Sequence, residues 1–215
     1  METRGGRPRG HGLNMTGIRS TDPSNGYEAI SGDFMSVRSK SNIGVATVSE
    51  WAKSLPHGAA VLDLGCGNGV PISEAMVDAG FVVYGIDASP SMIAAFRARF
   101  PDAPVECNAI EDSQLFGRTF DAIVAWGLIF LLAPDAQATL IQKAASALEP
   151  GGRFVFTAPR QACAWADTLT GQTPFSLGVD RYREIVEQEG LSLVGETEDE
   201  GQNHYYFCLR RIQVA

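Results

Sequence analysis

Val61-Leu62-Asp63-Leu64-Gly65-Cys66-Gly67-Asn68-Gly69 is the stretch from which this fold is read. Val61 to Leu64 form a short apolar run of strand type, glycine then recurs at every second position, and Pro71 opens a helix. The order is strand, tight turn, helix N-terminus. Glycine lacks Cβ, so its backbone takes φ > 0 and lets a ligand come close. The helix beyond presents unpaired N–H groups and the positive end of its dipole, which predicts that an anionic group docks on the loop. An ordinary strand-to-helix turn in an α/β domain is the competing reading. A dinucleotide fingerprint would need its third glycine at position 70, which is Val70, and no Lys-Ser or Lys-Thr pair follows to make a phosphate loop.

The stretch resembles the first motif of the class I S-adenosylmethionine-dependent methyltransferases, hydrophobic-hydrophobic-Asp/Glu-x-Gly-x-Gly-x-Gly, and matches it without a gap. Further landmarks follow in the order that family shows. Gly85-Ile86-Asp87 ends the next strand, Phe120-Asp121 starts the fourth, and Leu148-Glu149-Pro150-Gly151-Gly152 turns into the fifth. Leu191–Glu196 and His204–Ile212 alternate like a closing antiparallel pair. The resemblance covers Ala59 to Ile212. It implies a Rossmann-like, seven-stranded, mostly parallel α/β sheet with an antiparallel last strand and helices on both faces.

Composition agrees with such a domain. The 215 residues are 45% apolar and 20% charged, enough for one sheet-and-helix core. A formal net charge of −8 argues against a general nucleic-acid surface, so the acceptor expected is a small molecule and not a nucleic acid. The four cysteines lie far apart, with no histidine at ligand spacing, which predicts buried thiols in a reducing compartment and no metal. The longest apolar run, Ala122 to Ala133, falls short of the roughly 20 residues a bilayer takes, and no apolar signal segment opens the chain. Those readings predict a cytoplasmic protein without membrane partners; its oligomeric state is open.

Residues 1–26 hold six glycines and almost no large apolar side chain, so they read as a flexible tail. The methyltransferase domain is expected over 27–215. Within it, 27–58 should form helices that cover the cofactor, and 159–178, which lacks a clear period, should be a substrate-side loop. Tyr27, Ile30, Phe34 and Val37 mark one helix; Val45, Val48, Trp51, Ala52 and Leu55 mark a second.

The family's site residues carry over position by position. Gly65, Cys66, Gly67 and Gly69 would give the cofactor backbone room, and Asp63 would orient its methionyl amino group. Asp87, at a strand end 18 residues beyond Gly69, is placed to accept from both ribose hydroxyls, with Ala88 and Met92 beside it; a mere capping role is the alternative. The resemblance implies that the backbone at Ile110 and Glu111 meets the adenine edge. It also makes Arg38 the partner of the methionyl carboxylate, against a solvated surface arginine.

Trp126 follows the fourth strand, where a ring face would hold the sulfonium or wall off the acceptor. Trp165, His204 and Tyr205 complete the expected substrate side. His204 is the expected general base, weighed against a structural hydrogen-bonder, and alternation puts it on one strand face with Tyr206 while Tyr205 takes the other. Glu111 is a second, weaker base candidate. The function expected is methyl transfer from S-adenosylmethionine to a small molecule. A macromolecular acceptor, a non-catalytic cofactor-binding subunit and, more distantly, a nicotinamide oxidoreductase stand as alternatives.

Overall fold

Two alternating faces of one sheet organise the chain, whose computed structural model describes residues 22–212. The elements run α1 (Ser31–Arg38), α2 (Val45–Ala52), β1 (Ala60–Leu64), α3 (Ile72–Asp78), β2 (Val82–Asp87), α4 (Pro90–Arg99), β3 (Val105–Cys107) and β4 (Phe120–Ala125). Then come α5 (Pro134–Ala147), β5 (Leu148–Thr157), a short ribbon of β6 (Cys163–Ala164) and β7 (Phe175–Ser176), α6 (Val179–Gln188), β8 (Leu191–Glu198) and β9 (His204–Arg210). The main sheet is seven-stranded, ordered β3-β2-β1-β4-β5-β9-β8. The pairs from β3 to β5 are parallel, and β9 is antiparallel to both of its neighbours. This is the architecture the sequence predicts.

Period two along the strands sorts the core into two layers. Val61, Val83, Ala122, Val124, Val155 and Tyr205 pack with Trp51, Met76 and Phe96 from α2, α3 and α4. Their strand neighbours Leu62, Leu64, Ile123, Phe154, Phe156 and Tyr206 pack with Ile141 of α5 and Tyr182 of α6. Both faces are covered, as the near-continuous apolar strands require.

Several boundaries differ from the sequence reading. Tyr27 to Ile30 is a turn and not the first turn of a helix, because Asp22 accepts from Ser24 and Gly26 and curls the chain, with Gly26 at φ 88°. β3 starts at Val105 because Pro104 has no N–H for the ladder, although its carbonyl still accepts from Gly85. β5 begins at Leu148, which already pairs with Phe120; residues 149–152 then loop out before Arg153 resumes the pairing at Ala122. The Asp121 carboxylate accepts from the Ala60 N–H at 2.8 Å and so sets the start of β1 beside β4. The segment 159–178, read from the sequence as a loop without a clear period, carries the short β6–β7 ribbon. The expectation for the tail mostly concerns residues outside the described ones.

Candidate functional site

β1 and β4 are neighbours, while the chain after β1 leads to α3 on one face and the chain after β4 leads to α5 on the other. A crevice opens at the carboxyl ends of such strands. It is lined from below by Asp63, Gly65, Cys66, Gly67 and Asn68, and laterally by Asp87, Ala88 and Met92. Ile110, Glu111 and Trp126 close another side, and Arg38, Tyr27 and Phe34 reach over it.

The glycine loop hangs on β2. Gly65 and Cys66 donate to the Ile86 carbonyl at 2.8 and 3.1 Å, and Gly67 donates to Asp87 Oδ2 at 2.9 Å. Those donors are thus used to hold the loop, and α3 opens behind Pro71, which has no N–H. The expectation that an anion docks on the loop is revised accordingly: the loop supplies shape, and the charges facing the crevice there are the carboxylates of Asp63 and Asp87.

Asp63 is buried and accepts from Ser73 Oγ at 2.6 Å. Burial pushes its carboxyl up to about 7, against the Ser73 hydrogen bond and with a contribution from the charge of Asp87. Asp87 is raised too, chiefly by burial, although the Ser89 and Gly67 N–H groups hold it down. Two acids at one crevice, Asp63 buried and Asp87 half-buried, favour a ligand that brings an ammonium or hydroxyl donors. Cys66 is buried, and burial drives its thiol well above the usual range, so it is not a nucleophile here.

The glycines differ in purpose. A Cβ on Gly67, at φ 54°, would meet no other part of the chain within 4 Å. Gly69, at φ 83°, does not line the crevice; a Cβ there would stand 2.5 Å from Phe100 and 3.0 Å from Phe96. Its absent side chain seats the Phe96–Phe100 pair, whose rings lie 5.1 Å apart. This corrects its expected place in a ligand site.

Side chains from remote segments build the cover. Glu28 accepts from the hydroxyls of Ser89 and Ser91 and from the Ser91 N–H, clamping the 22–30 segment onto the start of α4. The Tyr27 hydroxyl bonds to Asp167; burial first, then that carboxylate, pushes the phenol up to about 12. Arg38 lies over the Trp126 ring at 4.0 Å. Trp126 Nε1 donates to the Tyr205 hydroxyl at 2.6 Å, which donates to Asp199 Oδ2 at 2.7 Å. One Trp126 face therefore already carries a cation from the chain itself.

Three expected substrate residues do not reach the crevice. Tyr205 stands behind Trp126, and Trp165 packs on Phe130 at 5.5 Å between centroids. His204 lies on the face shared with Tyr206, bonded to Glu196 Oε2 at 3.0 Å. The pairing of Tyr205 with Thr157 sets that face, and it turns His204 away from Trp126. Sequence reading missed Tyr27, Asn68 and Leu128 as lining residues and Ser73 as the partner of Asp63. A small polar residue between Ile72 and Met76 on a buried helix face was the available signal for Ser73; Tyr27 had none, since its partner lies 140 residues on.

Residues 61–152 match the family of methyltransferase domains. A ubiquinone biosynthesis O-methyltransferase of Xanthomonas axonopodis pv. citri is 34% identical over 152 residues, which is 66% of this chain and 62% of that relative. The chain thus matches less than two thirds of the relative's length. A TehB-like S-adenosylmethionine-dependent methyltransferase of Corynebacterium glutamicum superposes with a TM-score of 0.66 at 22% identity, over 85% of this chain and 98% of that one. The 1,6-didemethyltoxoflavin-N1-methyltransferase of Burkholderia thailandensis, solved with 1,6-didemethyltoxoflavin and S-adenosylhomocysteine, gives 0.68 at 17% identity, over 94% and 99%. At such identities these two likenesses concern the fold. Among the described residues no helix is long and apolar enough to cross a membrane.

Proposed function

From the class I S-adenosylmethionine-dependent methyltransferase domain that this chain carries, we propose that the protein binds S-adenosylmethionine in the β1/β4 crevice and methylates a hydroxyl of a small molecule. The observation that carries the reading is the convergence of Asp63, Gly67 and Asp87 on one crevice at the strand ends. The donor set fits the cofactor: buried Asp63 suits an ammonium, Asp87 suits paired hydroxyls, and Arg38 at the rim suits a carboxylate. Cys66, Ala88 and Met92 fill the apolar floor, and the backbone at Ile110 and Glu111 edges the base.

When bound, S-adenosylmethionine supplies a methyl group already activated on a sulfonium. The chain has to align and to exclude water, and alignment of this kind is worth roughly 7 to 11 kcal/mol. Leu128, Leu131 and Leu132 provide a dry wall next to Trp126. Among the described residues no histidine lines the crevice, so the reading favours an acceptor hydroxyl acidic enough to need little help in losing its proton. An oxygen acceptor is further supported by the relative's name, and a small one by the net charge of −8.

The test is a calorimetric titration with S-adenosylhomocysteine on wild type and Asp87→Ala, then a methyl-transfer assay over a panel of small hydroxylated acceptors. Losing two charge-assisted hydrogen bonds should weaken binding about 100-fold or more. No binding by wild type would sink the cofactor reading; binding without turnover on any acceptor would leave a cofactor-binding subunit.

A further inference from the structure

The apolar wall of the crevice, Leu128, Leu131 and Leu132, is built on a single tight helical turn, Ile129–Leu131. Its own hydrogen bonds, from the Leu131 N–H to Leu128 and from the Leu132 N–H to Ile129, close that turn and reach nothing beyond it. So short a turn does not hold its place by itself. Two buried polar side chains anchor its ends. At the start, the Gly127 N–H donates to Thr157 Oγ1 of β5 at 2.8 Å. At the end, Gln137 of α5 donates from Nε2 to the Leu132 carbonyl at 2.9 Å and to the Phe175 carbonyl of β7 at 2.7 Å. Its Oε1 accepts from the Tyr182 hydroxyl of α6 at 2.6 Å.

Gln137 is fully buried, one turn ahead of Leu140 and Ile141 on the core face of α5. A leucine there would pack with no amide to satisfy, whereas a buried amide is tolerated only when it is bonded. Here both donors and the acceptor oxygen are engaged, and they join the wall to the β6–β7 ribbon and to α6. The ribbon meets the wall a second time through Trp165, which packs on Phe130. In the function proposed above, Asp63, Asp87 and the backbone at Ile110 and Glu111 serve the cofactor, which leaves the leucine wall beside Trp126 to the acceptor. We infer, on that reading, that Gln137 and Thr157 are positioning residues for the acceptor: they fix the wall at both ends and so set which acceptor fits. The acceptor this implies carries an apolar body next to its hydroxyl, since three leucines are held for it to pack against.

The experiment measures S-adenosylhomocysteine affinity, melting temperature, and acceptor KM and kcat on wild type, Gln137→Met, Thr157→Val and Thr157→Ser. The acceptors are those of the hydroxylated panel that wild type turns over, beginning with para-nitrophenol and the bulkier para-phenylphenol. Gln137→Met keeps the length of the side chain without its donors. It should raise acceptor KM about tenfold, with kcat and S-adenosylhomocysteine affinity within about threefold of wild type. The preference of wild type between the smaller and the bulkier acceptor should shrink in the same variant. Thr157→Val should move KM the same way, and Thr157→Ser, which keeps the hydroxyl, should stay near wild type; that pair carries the test if Gln137→Met does not fold. Cofactor affinity that falls in step with the rise in KM, or a lower melting temperature with KM unchanged, would make both stability residues only and overturn the inference. If wild type does not bind S-adenosylhomocysteine, the cofactor reading fails first and takes this inference with it. If it binds but methylates no member of the panel, the methyl-transfer reading fails with the same consequence. Turnover by wild type with the same KM in every variant would sink the inference alone.

Discussion

The floor of the crevice and its cover are built in different ways. The floor, from Asp63 through Asn68 and at Asp87, is held by backbone: the loop donors go to Ile86 and Asp87, and the chain enters and leaves through paired strands. The cover, from 22–38 and 159–178, is held by side chains that meet from positions far apart in the chain, Glu28 with Ser89 and Ser91, Tyr27 with Asp167, Arg38 with Trp126. α1 buries no residue at all, while β1 buries four of five. A backbone-built floor resists opening; a cover made of a few exposed or half-buried clamps opens locally at small cost. That difference suits a ligand that must be gripped in one geometry and still exchange.

The sharpest way to break the comparison is within the glycine loop, because Gly67 and Gly69 share a left-handed backbone but not a purpose. Gly69→Val puts a β-branched residue at φ 83° against Phe100 and should cost about 3 to 5 kcal/mol of stability, measured as the shift in urea midpoint. Gly67→Ala, with open space around its Cβ, should cost only about 1 to 2 kcal/mol. It should nevertheless bind S-adenosylhomocysteine distinctly more weakly than wild type. Equal stability losses at the two positions would erase the distinction between packing glycine and ligand glycine.

Asp63 sharpens the electrostatic side of the floor. Its carboxyl, raised to about 7 by burial, keeps a proton that the unfolded chain gives up near 4, so the folded state binds more protons in that window. Its contribution to stability is therefore complete below about 4 and is lost as pH rises through about 7. Asp63→Asn should flatten this decline in pH-dependent unfolding curves. A ligand ammonium takes the ionised form, so affinity for S-adenosylhomocysteine should rise by up to about tenfold per pH unit toward 7 and level off above it. A pH-independent affinity in wild type would mean that Asp63 does not face the ammonium.

Two smaller effects probe the cover and the face behind it. Tyr205→Phe leaves Trp126 Nε1 and the Asp199 carboxylate without their shared partner, for a loss of about 1 to 3 kcal/mol in stability and weaker cofactor binding through Arg38. Unchanged cofactor affinity would show that the Trp126 ring needs no such support. His204→Gln should leave turnover within about twofold, since its ring is engaged with Glu196 on the face away from Trp126, and twofold is under about 0.5 kcal/mol of barrier. A loss of about 100-fold would restore His204 as the base and place the chemistry on the other side of β9.

The sequence by itself determined the sheet, the loop and the acids at the ends of β1 and β2. Alternating apolar residues, glycine spacing and a polar residue closing a strand act through φ, ψ and side-chain direction over a few neighbours, so they can be read without a fold. It also showed that His204 and Tyr205 occupy opposite strand faces. Only the tertiary structure decided which of those faces meets Trp126, because that depends on the register of β9 against β5. The same holds for the ring face covered by Arg38, for Tyr27 with Asp167 and for Gln137 with Phe175. Each pairs groups far apart in the chain, and such pairs exist only after the apolar layers have folded and brought their carriers together.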